Sequence, residues 1–179
     1  MEEESLMNEA IKAYDAHEYM KAKSIWEPLS ATNTDAMVNL GTMYVKGFGV
    51  ERNISMAFTL FERASAYGHE TASFYMGGMY ENGIGVASDK SEAIRYYTTA
   101  AEANMPTAQL KLGILLREED VLNSMKWMIS AAHAGEAQAH SLLTYVSNMS
   151  QATDINVAFR MLDEESQRAK VEMVIAESL

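Results

Sequence analysis

Residues Ala36 to Gly68 read AMVNLGTMYVKGFGVERNISMAFTLFERASAYG, and residues Ala72 to Asn104 read ASFYMGGMYENGIGVASDKSEAIRYYTTAAEAN. Laid one over the other, they match at Ala36 and Ala72, Gly41 and Gly77, Gly47 and Gly83, Gly49 and Gly85, Ala57 and Ala93, and Ala64 and Ala100, each pair 36 positions apart. A fixed period of this size marks stacked supersecondary units, none of which can bury its apolar face without a neighbour.

Within the central copy, Ala36, Met37, Leu40, Gly41 and Tyr44 recur at helical spacing and predict a first helix ending near Lys46. Gly47 and Gly49 terminate it, since a helix C-terminus commonly needs a left-handed residue. Val50 is expected to fold inward between the two helices of the unit. Asn53 is positioned as the N-cap of a second helix that presents Ala57, Phe61 and Ala64 on one face, with Leu60 beside them, until Gly68 stops it. The small residues Ala36, Gly41, Ala57 and Ala64 allow the axes to approach toward the lower end of the usual range of about 8–10 Å, and Tyr44 and Phe61 fill the remaining volume. In the next copy Asp89 and Glu92 form a D-x-x-E capping pattern, and Pro106 opens the helix that follows.

Outward from these two copies the pattern wears. Residues 1–33 read as a shorter terminal repeat of two helices. In its first helix Leu6, Ala10, Ala13 and Tyr14 share a face; in its second, Ala22, Trp26 and Leu29 take the offsets of Ala57, Phe61 and Ala64, and Pro28 ends or kinks that helix. Well-matched repeats occupy 36–71 and 72–107, and degenerate ones 108–138 and 139–167. The third copy keeps Ala108, Leu112 and Gly113, loses both loop glycines, and reaches Met128, Ala131 and Gly135 five residues early. Glu118, Glu119 and Asp120 fill the shortened turn, next to the positive end of the following helix. The fourth copy keeps Ala139 and Leu143 and repeats INVAFRMLDE from Ile155 against ISMAFTLFER from Ile54. Residues 168–179 are expected to form a polar capping helix. The whole reads as one all-α domain of about five two-helix repeats.

The pattern A-x-x-x-L-G-x-x-Y-x-x-G-x-G-V, then A-x-x-x-F-x-x-A-x-x-x-G, is carried by Ala36, Leu40, Gly41, Tyr44, Gly47, Gly49, Val50, Ala57, Phe61, Ala64 and Gly68. It resembles the Sel-one-like repeat (SLR) family, cousins of the tetratricopeptide repeat. The resemblance implies a right-handed α/α superhelix, or solenoid, whose first helices line a concave groove. It also implies a non-enzymatic adaptor, assembly factor or inhibitor; family members act as immunity proteins that neutralise toxins. The missing loop glycines of the third and fourth copies depart from the family, so the curvature is expected to change in the C-terminal half, making it a candidate specialised binding surface.

Composition narrows the function. Of 179 residues 48% are hydrophobic and 22% charged, as in folded soluble proteins. With 14 Lys and Arg against 25 Asp and Glu the net charge is −11, which repels phosphate backbones and anionic lipid and favours a basic protein partner. The absence of cysteine excludes disulfides and thiolate metal sites and suits a reducing compartment. The opening MEEESLMNEA is acidic where a secretory signal is basic, and no apolar run approaches the ~20 residues of a membrane span, so a cytoplasmic location is expected.

Chemical motifs are sparse. Gly47-Phe48-Gly49 and Gly83-Ile84-Gly85 follow helices and lack the lysine and third glycine of a phosphate loop. His17, His69, His133 and His140 form no H-E-x-x-H, and His69 and His133 fall beside turns. Acidic runs such as Glu118 to Asp120, or Asp163 to Glu165, read as solvated faces or helix-dipole partners rather than an acid and base pair. No catalytic residue, cofactor or metal ligand is assigned. Met37, Met76 and Met128 fall on core positions, whereas Met43 and Met79, on the other side of the same helices, fit either core or interface.

If Ala36, Leu40, Gly41 and Tyr44 pack inward, Val38, Thr42 and Val45 project from the opposite face, followed at the same offsets by Phe74, Gly78 and Glu81, then Leu110, Ile114 and Arg117, then Ser141, Tyr145 and Asn148. Exposed Phe74, Leu110, Ile114 and Tyr145 in a line would make an apolar strip suited to a protein or peptide partner. The functional expectation is an adaptor, regulator or inhibitor binding such a partner on its concave face. A metal-dependent enzyme using the acidic cluster is the alternative of a different class, and self-association through a solenoid end is a further one.

Overall fold

The computed structural model describes residues 2–139. The fourth copy beyond Ala139, the cap at 168–179, and Ser141, Tyr145 and Asn148 lie outside the described residues.

Among the described residues are eight helices and no strand: α1 (Glu2–Asp15), α2 (Tyr19–Leu29), α3 (Thr34–Lys46), α4 (Ile54–Ala66), α5 (Glu70–Asn82), α6 (Lys90–Glu102), α7 (Pro106–Leu116) and α8 (Val121–His133). The fold is all-α and built of consecutive helix pairs. The chain divides into two compact units, Met1–Ala93 and Ile94–Leu179, with the boundary inside α6.

In the first unit each helix packs on the next, α1 on α2, α2 on α3, α3 on α4 and α4 on α5. Short local signals set the ends. Asn33 and Asn53 cap α3 and α4, their side chains accepting from the backbone N–H groups of Ala36 at 2.8 Å and Met56 at 3.0 Å. Gly47 closes α3 in the left-handed region at φ 72°, where a side chain would be strained. Pro28 falls one residue before the end of α2, which stops at Leu29. The two glycine loops close alike: Asn53 N–H donates to Tyr44 O, and 36 residues later Asp89 N–H donates to Tyr80 O, both at 3.0 Å. Val50 within the first loop is half-buried.

Small residues carry the close approaches. Ala22, Ala36, Ala57, Ala64 and Ala72 are completely buried, and a Cβ built on Gly41 would lie 2.6 Å from Phe61 Cε1. Met43 and Met79 are core residues, 0% and 5% exposed. The reason is plain for α3, which packs on both α2 and α4 and therefore buries two sides instead of one. Between α1 and α2, Glu9 and Lys21 form an ion pair at 2.9 Å, and this hydrogen bond, reinforced by the carboxylate's charge, holds the Lys21 ammonium above the usual lysine range.

In the second unit Pro106 occupies the first turn of α7, and Asp120 caps α8 by accepting from Asn123 N–H at 3.1 Å. The shortened acidic turn therefore works as a helix start. Its packing repeats the motif of the first unit with other atoms: a Cβ on Gly113 would meet Met128 Cγ at 2.7 Å and Ser124 O at 3.1 Å. Ser124 Oγ donates to Gly113 O at 2.7 Å, so the close approach of α7 and α8 is also hydrogen-bonded.

Candidate protein-binding groove

The surface of the first unit carries two adjoining pockets that share Asp35 and Asn39, taken together as one groove in two sections. The first, about 600 Å³, lies between α1 and the start of α3, with Glu3, Glu4, Met7 and Ile11 on one wall and Asn33, Asp35 and Asn39 on the other. The α1 residues share a wall because they sit three or four apart on a helix. The second section, about 320 Å³, also includes Asp35 and Asn39 and continues past Tyr14, Trp26, Thr42 and Lys46 to Thr71 and Tyr75 of α5. Asp35 and Thr71, and likewise Asn39 and Tyr75, occupy one repeat position. α3 and α5 thus turn the same register toward the groove.

Its polar groups are ordered by the repeat junctions. Asn33 caps α3 through Oδ1 and donates through Nδ2 to Glu3 Oε1 at 2.8 Å. His69 stands at the N-cap of α5: Nδ1 accepts from Ala72 N–H at 3.4 Å, and Nε2 lies 3.0 Å from Asp35 Oδ1. Lys46 Nζ donates to Tyr14 OH at 3.4 Å and lies over the Tyr14 and Phe48 rings. Tyr14 packs on Trp26, ring centroids 5.6 Å apart. Trp26 is 2% exposed, and its indole N–H has no hydrogen-bond partner among the described residues.

The residues expected to form the strip divide by depth. Thr42 and Val38 line the groove, but Val38 is only 7% exposed, and Thr42 Oγ1 donates to the Val38 carbonyl at 2.9 Å. Val45 and Glu81 are half-buried at the loop ends, their carbonyls accepting from Arg52 Nε and Ser88 Oγ. Phe74 and Gly78 are half-buried on α5. In the second unit Leu110 is 6% exposed in a cluster with Ala131, Ala132 and Ala139, and Ile114 packs against that cluster. Leu110 is therefore core, contrary to its expected exposure, because α7 buries this side against α8 and the chain after it. Arg117 is exposed and pairs with Glu118 at 3.5 Å.

Beside the expected Val38 and Thr42, the groove is lined by Asp35, Asn39, Thr71 and Tyr75, which sequence reasoning did not single out. A mainly polar set gives no hydrophobic periodicity to find, so only the conserved offset between Asp35 and Thr71 could have pointed to it.

Among the described residues no group of three or more His, Asp or Glu is placed to hold a metal, and no helix is long and apolar enough to cross a membrane. The Sel1 repeat family model matches residues 34–69, 71–105 and 106–136. Among solved structures the chain is similar to a Sel1 repeat protein from Oxalobacter formigenes, at 30% identity and a TM-score of 0.74, covering 78% of this chain and 60% of that one. It is also similar in fold to c5321, a protective antigen present in uropathogenic Escherichia coli strains with an SLR fold, at 22% identity and a TM-score of 0.71, covering 89% of this chain and 34% of that one. The chain thus spans less than two thirds of the length of either. A comparison with curated proteins finds no match. The repeats generally serve protein–protein interaction, and with three of them across more than half of its length this chain belongs to the Sel1 repeat family.

Proposed function

We propose that the chain is a non-enzymatic adaptor, regulator or inhibitor that takes a protein or peptide partner in the groove of its first unit. The observation that carries this is the continuity of the two sections through Asp35 and Asn39, which gives a trough walled by α1, α3 and α5. The site combines apolar and aromatic walls with polar groups, the mixture that recognises an extended segment. The net charge of −11 favours a basic partner and makes the encounter salt-sensitive.

Asn39→Arg places a long side chain in the middle of the trough, whereas Met56→Arg alters an exposed position of α4. Capture of the native partner from cell extract is expected to fail with the first variant and persist with the second. The reverse pattern would move binding to the outer face of the repeats.

A further inference from the structure

Building on the interaction reading above, we propose that the first-unit groove binds an extended peptide that places a Lys or Arg side chain between Glu3, Glu4 and Asp35 and turns a backbone carbonyl toward the indole N–H of Trp26.

The two sections differ in chemistry. Among the described residues the α1–α3 section is lined by three carboxylates and no Lys or Arg, and its apolar wall is Met7 and Ile11. A long basic side chain matches both features, its methylene stem lying on Met7 and Ile11 and its charged head reaching the carboxylates. The carboxylates are not consumed by internal pairing. Glu3 uses one oxygen to accept from Asn33, and Asp35, whose side chain is 70% exposed, uses one oxygen toward His69 Nε2, which leaves an oxygen of each open to a ligand.

A second observation comes from the other section. Trp26 is among its lining residues, and its enclosed indole N–H has no partner among the described residues. Donors so placed are nearly always paired, and a carbonyl oxygen of a peptide entering this section is the partner assigned to this one. Asn39 lies at the junction of the sections and offers both a donor and an acceptor to a passing peptide unit. The spacing suits one segment: α1 rises about 16 Å between Glu3 and Tyr14, the reach of about five extended residues.

The test is selection of a randomised heptapeptide library against the full chain, followed by titration of the enriched peptide. Trp127→Phe leaves Trp26 as the sole indole, so its emission reports occupancy directly. Enrichment of Arg or Lys at one position is expected. Glu3→Gln with Glu4→Gln, which keeps the acceptor for Asn33, should weaken the peptide about tenfold or more at low salt. Replacing the peptide's basic residue by norleucine should abolish the difference between variant and parent. In the parent chain, Trp26→Phe, followed by anisotropy of a labelled peptide, should weaken binding about threefold to tenfold, with the circular dichroism unchanged.

Enrichment of acidic or purely apolar peptides, or equal affinity in the Gln variants, overturns the proposal while leaving a protein-binding role intact. Unaltered Trp26 emission at saturation overturns it as well. Loss of partner capture in Asn39→Arg is independent of all these outcomes, so the two readings fail separately.

Discussion

The ring edge of Phe61 occupies the space where a side chain on Gly41 would begin, with Cε1 only 2.6 Å from the position of a Cβ. α3 and α4 are thereby locked at one separation. Alanine is favoured over glycine in a helix interior by about 0.8–1.0 kcal/mol, whereas overpacking typically costs about 1–3 kcal/mol. Gly41→Ala is therefore expected to lose up to about 2 kcal/mol net, and Gly41→Leu more. Urea unfolding measures both. In a Phe61→Leu background the penalty of Gly41→Ala should shrink, and unchanged penalties would show that the ring does not set the helix separation.

The loop glycines serve a second joint. A Cβ on Gly49 would fall 2.6 Å from Tyr19 Cβ, and one on Gly85 would fall 2.5 Å from Ile54 Cγ2. Tyr19 and Ile54 are the first residues of α2 and α4, so each loop rests on the start of the preceding repeat's second helix. Gly68 provides the control, with φ 83° but open space around it. Gly68→Ala should cost only the left-handed strain of about 1–2 kcal/mol. Gly49→Ala carries similar strain plus a clash with the Tyr19 backbone, and its urea midpoint should fall further. Equal midpoints would mean that the loop moves away freely.

The caps make a graded series. Asn53→Ala and Asp120→Ala should each cost about 0.5–2 kcal/mol. Asn33→Ala removes a cap of the same kind and also the bond to Glu3. If Glu3 acts on stability through Asn33, Glu3→Ala should cost a few tenths of a kcal/mol alone and about nothing in the Asn33→Ala background. An undiminished effect of Glu3→Ala in that background would assign it to the α1 dipole instead.

The helix ends were legible where single residues decide them: Asn53 and Asp89 stand where the chain must satisfy free N–H groups, and the end of α3 agrees with the glycine signal at Gly47, whereas Asp120, read as a dipole partner, is a side-chain cap. Gly41 was legible too, since a glycine recurring inside an apolar helix implies a close neighbour. The groove was not. Periodicity assigns each helix one inner and one outer face, but α3 packs on two helices, so Met43 and Val38 are both enclosed while Asp35, Asn39 and Thr42 line the groove. Trp26 was visible as a core residue, while its unpaired N–H follows no local motif.

Depth also changes which variants can report on binding. Ile114 was expected on an open strip, yet it packs against Leu110, Ala131, Ala132 and Ala139. A glutamate there places a carboxylate beside apolar groups that offer it no hydrogen bond, and burying a polar group without a partner costs about 1–3 kcal/mol on mutational scales. Ile114→Glu should therefore lower the thermal midpoint by several degrees, while Met56→Glu, at an exposed position of α4, should change stability by less than about 0.5 kcal/mol. Binding lost in Ile114→Glu together with stability would say nothing about a partner surface. Retained stability with binding lost would show instead that the α7 face opens and that Ile114 contacts the partner, so both quantities must be measured on the same preparation.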